Sequence, residues 1–208
     1  MTKALGYETH VDQYDEWFDK NPETYQAEID AIKQLLPAGK GLEIGAGSGR
    51  FTGPLKIDTG LEPAKAMRDA ALERGIKMVE GVGEALPFED GSYDFTAFIT
   101  STCFLESPLK AYKEAARVTK QNGAIIIAFL EKDSELGKRY EAHKQESPFY
   151  CNATFYSYSE ITEFLTEAGF SNFNSVQTVL PPSSNKDTNT ILPGHDLGTF
   201  VVVKAIKN

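Results

Sequence analysis

The sequence predicts an α/β fold: one domain with a mainly parallel, seven-stranded, doubly wound sheet, helices on both faces and an antiparallel hairpin at one edge. Short apolar segments alternate with segments of helical periodicity along most of the chain, which is the pattern of parallel strands joined by crossover helices. The last two apolar segments are joined by a loop without helical periodicity, which predicts the antiparallel edge. A length of 208 residues, with 41% hydrophobic and 25% charged residues, suits a single globular domain spanning residues 1–208.

The N-terminal region, residues 1–36, is predicted to form a helical cap. Apolar residues recur at helical spacing over residues 11–36, and Asn21-Pro22 divides this region into two helices. Pro37 ends the second helix, because proline cannot continue one.

The centre of the sheet is predicted over residues 37–130. A proline at the first turn and a glycine past the end bound a helix over residues 63–74, and a second helix is expected over residues 108–118. Asn122-Gly123 predicts a turn into the most apolar strand of the chain. The predicted strands are residues 41–45, 57–61, 76–80, 93–100 and 124–130.

The remaining chain is predicted to supply an insertion and the edge of the sheet. Residues 131–156 form the insertion, with a helix over 133–145, and are expected to cover the carboxyl edge of the sheet. The C-terminal part, residues 157–208, starts with a helix over 157–168. Two strands follow, over residues 173–180 and 197–206, joined by a polar loop.

Composition excludes several classes of function. The chain has a net charge of −9 and no basic run, which disfavours binding to nucleic acid. Cys103 and Cys151 have no metal-ligand spacing, so no metal site and no disulfide framework are expected. No apolar run approaches the length of about 20 residues that spans a bilayer. We expect a cytoplasmic protein with no membrane partner.

A glycine-rich segment, GLEIGAGSGRF at residues 41–51, is the first sign of a ligand site. Glycines directly after a strand let a ligand approach the backbone, although an ordinary turn can have the same composition. The dinucleotide pattern GxGxxG requires a third glycine where Arg50 stands, and the phosphate-loop ending is absent. Glu62 lies at the end of the second strand, 19 residues after Glu43, where a carboxylate in such folds accepts hydrogen bonds from ribose hydroxyls.

Together these segments resemble the class I S-adenosylmethionine-dependent methyltransferases, which have a Rossmann-like fold. The resemblance is closest to small members with the signature L-P-F-x-D-x-S-[FY]-D, and it runs from about residue 42 to residue 170. The segments that carry it are EIGAGSG at 43–49, GLEPAKAM at 60–67, GEALPFEDGSYDF at 83–95, RV at 117–118 and EITEFLTEAGF at 160–170.

The resemblance implies that residues 37–130 bind S-adenosyl-L-methionine and release S-adenosyl-L-homocysteine. Glu43 and the glycine-loop backbone would hold the methionyl end, Glu62 the ribose, and Pro63 with Met67 the adenine. Tyr14 and Trp17, three residues apart on the first helix, would close over the methionyl end. The implied cofactor-binding residues are Tyr14, Trp17, Glu43, Gly45, Ala46, Gly47, Gly49, Glu62, Pro63, Met67, Gly83, Glu84, Ala85 and Thr100.

Two positions depart from the family pattern. Val82 stands in Gly81-Val82-Gly83 where many relatives have an adenine-contacting Asp. Only residues 50–56 separate Gly49 from the second strand, so the helix after the glycine loop is cut to about two turns or less.

The acceptor side is less defined by sequence. Aromatic residues concentrate in the segments that should cover the carboxyl edge, and such a pocket suits a small amine or a ring substrate because aromatic faces attract cations and exclude water. No dedicated catalytic base is identified. The candidate substrate contacts are His10, Cys103, Phe104, Tyr140, His143 and Tyr150.

The predicted function is therefore methyl transfer from S-adenosylmethionine to a small-molecule acceptor by in-line displacement, in a monomer or homodimer. Two alternatives stay open. A catalytically silent cofactor-binding protein acting through a partner would keep the glycine loop and Glu62 without an open substrate pocket. A nicotinamide oxidoreductase is opposed by the glycine spacing.

Overall fold

The computed structural model describes residues 5–208, so the first four residues of the predicted helical cap lie outside the described chain, as do the side chains of residues 5 and 6. The helices are α1 Val11–Lys20, α2 Pro22–Leu35, α3 Lys65–Glu73, α4 Pro108–Val118, α5 Glu135–His143 and α6 Tyr158–Glu167. The strands are β1 Gly41–Ile44, β2 Thr59–Leu61, β3 Met78–Val79, β4 Tyr93–Ile99, β5 Thr119–Leu130, β6 Phe170–Thr178, β7 Leu192–Pro193 and β8 Phe200–Lys207. Short 3₁₀ turns occupy Leu5–Glu8, Thr102–Phe104, Lys144–Glu146 and Pro182–Ser184.

The strands form one sheet in the order β3-β2-β1-β4-β5-β8-β6-β7. The first five strands pair in parallel, and β8 runs antiparallel between β5 and β6. The predicted fold class, a Rossmann-like parallel sheet with an antiparallel edge and helices on both faces, is confirmed. The strand order reverses between β1 and β4, and in open α/β sheets ligands bind outside the carboxyl ends of the strands at this point. Among the described helices, none is long and apolar enough to cross a membrane.

The strand count and one turn differ from the prediction. The sheet has eight strands instead of seven, because Leu192–Pro193 pairs with β6 inside the loop predicted to be a connector. The predicted turn at Asn122 lies within β5, where the backbone takes φ 61. There the register against β4 shifts, so that Tyr93 faces Thr119 and Phe95 faces Ala124. Asparagine tolerates this left-handed conformation, which lets the strand bulge without ending.

The short segment after the glycine loop forms hydrogen-bonded turns over residues 50–56, and the structure has no helix at this position in the chain. The backbone N–H groups of Gly53 and Leu55 donate to the carbonyls of Gly49 and Phe51, which forms turns but no continuous helix. Phe51 and Leu55 pack into a buried cluster with Phe18 and Ile29 of the N-terminal helices. The N-terminal helices therefore cover the face of the sheet on which this segment lies.

Both faces of the sheet are buried, which explains the long apolar run of β5. Ile125, Ile127 and Phe129 pack with the cluster under α4 and α6, whereas Ala124 and Ile126 pack with the cluster under α2. Successive residues of a strand point to opposite faces, so a strand covered on both faces has no polar positions to alternate.

Two β-branched residues have left-handed backbone conformations at the carboxyl edge of the sheet. Thr100, directly after β4, has φ 53, and Val179, directly after β6, has φ 56. This conformation costs a residue with a Cβ about 1–2 kcal/mol, and β-branched residues rarely adopt it. Strained residues of this kind cluster at functional sites, so their position indicates that this edge of the sheet holds such a site.

At position 100 we expect the glycine variant to be more stable than the alanine variant, which reverses the order usual within strands. The free energy of unfolding of Thr100→Gly should exceed that of Thr100→Ala by about 1 kcal/mol, because only glycine adopts a positive φ without cost. Urea denaturation of both variants measures the difference. The matched control is Thr96 in the middle of β4, where Ala should be more stable than Gly by roughly 0.5–1 kcal/mol. The same order at both positions would contradict strain at Thr100.

Candidate active site

A cleft lies over the carboxyl ends of β1, β2 and β4. Its volume is about 860 Å³ when the open space at its entrance is included. Its floor includes the last residues of these three strands, Ile44, Leu61 and Ile99. Of the residues predicted to bind the cofactor, nine line its wall: Tyr14, Gly45, Gly47, Glu62, Pro63, Met67, Gly83, Glu84 and Thr100. Five others, Trp17, Glu43, Ala46, Gly49 and Ala85, lie outside this wall.

Glu62 links the end of β2 to the glycine loop. The residue is 6% exposed. Its Oε2 accepts a hydrogen bond from the backbone N–H of Gly47 at 3.1 Å, and Oε1 accepts one from the backbone N–H of Ala64 at 3.0 Å. Burial raises the pKa of this carboxyl group above its usual value, although the two backbone hydrogen bonds oppose the rise. Each carboxylate oxygen can accept about two hydrogen bonds, so each has one site left for a ligand in the cleft.

Glu43 lies outside the cleft wall, although the resemblance implies that it contacts the methionyl end. It is 1% exposed, and its Oε2 accepts a hydrogen bond of 2.6 Å from the hydroxyl of Thr52. Burial is the main reason that its pKa rises to about 8; the charge of Glu62 adds to the rise and the Thr52 hydrogen bond opposes it. Glu43 therefore ties β1 to the turn that follows the glycine loop.

The glycines of the loop have different functions. Gly47 lines the cleft with φ 54, and a Cβ added there would come within 3.6 Å of the Tyr14 hydroxyl. Gly49 has φ 81, and a Cβ there would lie 2.1 Å from Cδ1 of Ile76, so it allows close packing below the loop. The loop is also bonded to the end of β2, because the N–H groups of Gly45 and Ala46 both donate to the carbonyl of Leu61.

Glu84 lines the cleft, but its carboxylate is already engaged in supporting the wall. Oε1 accepts hydrogen bonds from the backbone N–H groups of Glu106 at 2.8 Å and Ser107 at 3.1 Å. The Ser101 hydroxyl similarly donates to the carbonyl of Ile44 at 2.7 Å, which joins the ends of β1 and β4. These bonds hold the cleft's walls together across the switch point.

Several residues of the cleft wall were not predicted from the sequence. Three of them could have been predicted, because Ile44, Leu61 and Ile99 are the last residues of parallel strands. The last residues of parallel strands lie at the carboxyl edge of the sheet, where ligands bind. The others come from loops whose course is set by tertiary contacts. The residues missed are Tyr7, Ile44, Leu61, Ile99, Ser101, Leu105 and Glu106; Val82, which stands where many relatives have an adenine-contacting Asp, lines the wall as well.

A second cavity, the aromatic chamber, adjoins the cleft and lies between the N-terminal helices and the insertion after β5. Thr100 and Val179, the two strained residues, both lie in its wall. Its eight aromatic residues are Tyr7, Tyr14, Trp17, Phe18, Phe51, Tyr140, Phe149 and Tyr150. Four residues line both the cleft and the chamber: Tyr7, Tyr14, Thr100 and Tyr150.

Three tyrosines therefore form the junction of the two cavities. The ring of Tyr7 lies 5.5 Å from Tyr14 and 5.3 Å from Phe149, measured between centroids. Burial, above all, raises the pKa of Tyr7, Tyr14 and Tyr150, so these phenols stay neutral near pH 7 and are not bases. None of their hydroxyls forms a hydrogen bond with a residue in the described range 5–208, so they are available to a ligand.

The residues predicted to contact substrate are only partly brought together. Phe104 and Tyr150 line the cleft, and Tyr140, His143 and Tyr150 line the aromatic chamber. Cys103 lies in a smaller neighbouring cavity with Phe155. His10 is outside all these walls; its ring packs on Phe149 at 6.1 Å.

The N-terminal helices are held over the cleft by acidic side chains. Asp15 of α1 accepts hydrogen bonds from the Ser48 hydroxyl at 2.6 Å, from Nε of Arg50 at 2.9 Å and from Nη2 of Arg74 at 2.5 Å. The carboxylate of Glu8 accepts from the first backbone N–H groups of α3. Burial alone would raise the pKa of Asp15, but its hydrogen bonds to the serine and the two guanidinium groups lower it below its usual value.

The segment with the L-P-F-x-D-x-S-[FY]-D signature lies beside the cleft and supports the scaffold. Arg117 of α4 donates to the carbonyls of Leu86 and Phe88 and pairs with Asp90 at 2.8 Å. Asp94 accepts from the backbone N–H of Lys40 at 2.7 Å. These bonds attach the loop before β4 to α4 and to the chain entering β1.

Comparison with known proteins identifies clear relatives. The family model for a methyltransferase domain matches residues 42–127. An uncharacterized protein of Methanocaldococcus jannaschii is 42% identical over 201 residues, covering 97% of this chain and 98% of that protein. A solved structure from Thermotoga maritima, described as a "SAM-dependent methyltransferase, possible histamine N-methyltransferase", is 39% identical, with a TM-score of 0.94 over 99% of this chain and 100% of that chain.

A more distant structure shows the same fold. Phosphoethanolamine N-methyltransferase 2 of Haemonchus contortus, solved with S-adenosyl-L-methionine, has a TM-score of 0.64 at 16% identity. The match covers 88% of this chain and 52% of that chain.

Replacing Asp15 with asparagine should loosen the attachment of α1 to the glycine loop. We expect Asp15→Asn to lose about 1.5–3 kcal/mol of unfolding free energy near pH 7, the scale of hydrogen bonds to a charged group. Because the folded pKa is depressed, this contribution is complete above the unfolded pKa of about 3.9 and disappears as the pH falls through the folded value. Denaturation across pH should therefore show the two proteins converging in acid.

The control for this prediction is Asp19→Asn, which removes a neighbouring partner of Arg50. The Asp19 side chain is 68% exposed, so its removal should cost less than about 0.5 kcal/mol. Equal losses in the two variants, or a difference from wild type that persists in acid, would contradict the importance of the Asp15 charge.

Proposed function

The chain belongs to the family of S-adenosylmethionine-dependent methyltransferases, and on this premise we propose that it transfers the cofactor's methyl group to a small-molecule acceptor. The observation that carries the proposal is that two cavities of different chemistry adjoin and share part of their walls. The cleft has exposed glycine backbone and a buried carboxylate, and the aromatic chamber meets it at three tyrosines.

The cleft has the groups that an adenosyl ligand requires. Glu62 has acceptor sites left for the ribose hydroxyls, and it is fixed in place by two backbone hydrogen bonds. Pro63, Met67 and Val82 supply apolar walls for the adenine ring. The backbone of Gly45 and Gly47 lines the cleft where the methionyl end would bind. At Gly47 a Cβ would project toward the Tyr14 hydroxyl, whereas at Gly45 it would meet the side chain of Ser101.

When bound, S-adenosylmethionine supplies a methyl group on a positively charged sulfur and so brings its own electrophile. The chain has two tasks, which are to orient the acceptor and to exclude water. Alignment alone can contribute on the order of 7–11 kcal/mol at its best. Tyr7, Tyr14 and Tyr150 are placed for both tasks, since they line both cavities and remain neutral hydrogen-bonding groups.

A small-molecule acceptor is favoured by the aromatic lining of the chamber. Its walls come from α1, α2 and the insertion after β5, and they include eight aromatic residues. The Thermotoga maritima relative is described as a possible methyltransferase of histamine, which is a small molecule.

The two alternative functions lack comparable support. A nicotinamide cofactor is disfavoured because Arg50 stands where the dinucleotide pattern requires a glycine. A silent cofactor-binding protein has no need of a second cavity, and here the aromatic chamber adjoins the cleft and shares four wall residues with it.

Cofactor binding is tested by S-adenosylhomocysteine and a Glu62 variant. The ligand should raise the melting temperature of the wild-type protein by mass action, and NADH should not. Glu62→Ala should weaken S-adenosylhomocysteine binding by about 1.5–3 kcal/mol in isothermal titration calorimetry, because the ribose loses its charged acceptor.

Glu80→Ala is the matched control, since Glu80 is 76% exposed and pairs with Arg68 outside the cleft wall. It should bind S-adenosylhomocysteine as the wild type does. Unchanged affinity for S-adenosylhomocysteine in the folded Glu62→Ala variant would contradict ribose binding by Glu62. Stabilisation of the wild-type protein by NADH alone would contradict S-adenosylmethionine as the cofactor.

A further inference from the structure

A buried carboxyl group lines the aromatic chamber at a position where a helix normally places an apolar residue. Glu28 of α2 is 6% exposed. It lies four and seven residues before Ile32 and Leu35, so it shares their buried face, and it contributes to the chamber wall.

Glu28 has no partner among the residues that the structure describes: its carboxylate forms neither a hydrogen bond nor an ion pair there. The ionisable groups in the chamber wall besides the tyrosines are otherwise engaged or exposed. Lys144 pairs with Glu141 at 2.8 Å and donates to the carbonyl of Ala153. The other three, Arg139, His143 and Glu146, are exposed.

An unpaired buried carboxylate is unfavourable for folding, because burial removes its hydration and nothing here replaces it. The same burial raises the pKa of Glu28 to about 8. The two other buried carboxyl groups near the cleft differ in this respect, since Glu62 accepts two backbone hydrogen bonds and Glu43 accepts one from Thr52. Glu28 alone of the three faces a cavity with its hydrogen-bonding capacity unused.

We propose that Glu28 binds the ammonium group of a small amine, and that amines of this kind are the methyl acceptors; the inference rests on the methyltransferase function proposed above. A cation supplies what the carboxylate lacks, a charged hydrogen-bond donor. The aromatic walls stabilise the same cation through their ring faces and exclude competing water. An anionic acceptor offers no cationic donor to Glu28, and the ionised form of Glu28 would repel it.

The chamber's geometry also fixes the direction of the amine. Glu28 lines only the chamber, whereas Thr100 and the three tyrosines line both cavities. An amine with its ammonium group at Glu28 therefore extends its other end toward the cleft. The atom that receives the methyl group is a second nucleophile at that end, because an ammonium nitrogen has no free electron pair. Glu28 is a binding residue that selects and orients the acceptor.

The experiment compares amines with neutral molecules of the same shape. Phenethylamine and histamine are paired with their alcohol analogues, 2-phenylethanol and 4-(2-hydroxyethyl)imidazole, and binding is measured by calorimetry with S-adenosylhomocysteine present. Each protein is first titrated with S-adenosylhomocysteine alone. The proteins are wild type, Glu28→Gln, Glu28→Asp and Glu23→Gln, the last removing an exposed carboxylate from the same helix.

At least one amine should bind wild type at least about tenfold more tightly than its alcohol analogue, and Glu28→Gln should abolish this preference while binding S-adenosylhomocysteine normally. Glu28→Asp retains the charge and should retain part of the preference, and Glu23→Gln should behave as wild type. Melting temperatures of the variants establish that each is folded.

Two results would overturn the inference alone: wild type that binds S-adenosylhomocysteine but prefers no amine to its alcohol analogue, or an amine preference that survives in Glu28→Gln. A purely structural carboxyl group would give the latter. If the wild-type protein does not bind S-adenosylhomocysteine, the proposed methyltransferase function itself is contradicted. Failure of the inference about Glu28 is therefore distinguishable from failure of the proposed function.

Discussion

The parallel pairing of β1 with both β2 and β4 is the constraint on which the rest of the site depends. It brings the carboxyl ends of three strands to one edge, with Leu42 of β1 paired to Thr59 on one side and to Thr96 on the other. The glycine loop and Glu62 each follow one of these strand ends, so they meet without any local preference to do so. The bonds from Gly45 and Ala46 to Leu61, and from Gly47 to Glu62, then close the loop onto the next strand.

The short segment after the glycine loop shapes the acceptor side of the molecule. With only turns over residues 50–56, the sheet face there is covered by α1 and α2, whose Phe18 and Ile29 pack against Phe51. The same helices supply Tyr14 to the cleft and Glu28 to the chamber. A shortened crossover thus connects the stability of the N-terminal helices directly to the site that they cover.

The site combines features that are individually unfavourable for stability. Thr100 and Val179 have positive φ in spite of β-branching, and both line the aromatic chamber. Three of the buried glutamates lie at or beside the two cavities, and their hydrogen bonding decreases from Glu62 through Glu43 to Glu28. Such features persist where surrounding packing enforces them, and the two buried clusters on the faces of the sheet provide that packing.

The sequence by itself determined the order of the elements, because helices and strands follow from local periodicity and from glycine and proline at their ends. It also placed the glycine loop and Glu62 at the same edge, since parallel strands share that edge. Tertiary structure alone decided which of these residues face a cavity. Gly49 is turned toward Ile76, and Glu84 is engaged by the backbone at 106–107, through contacts that spacing along the chain does not encode. Glu28 is the clearest example of what spacing along the chain cannot predict. It is one acidic residue on an apolar helix face, and it becomes a candidate binding residue only because the α5 segment packs opposite and leaves a chamber between them.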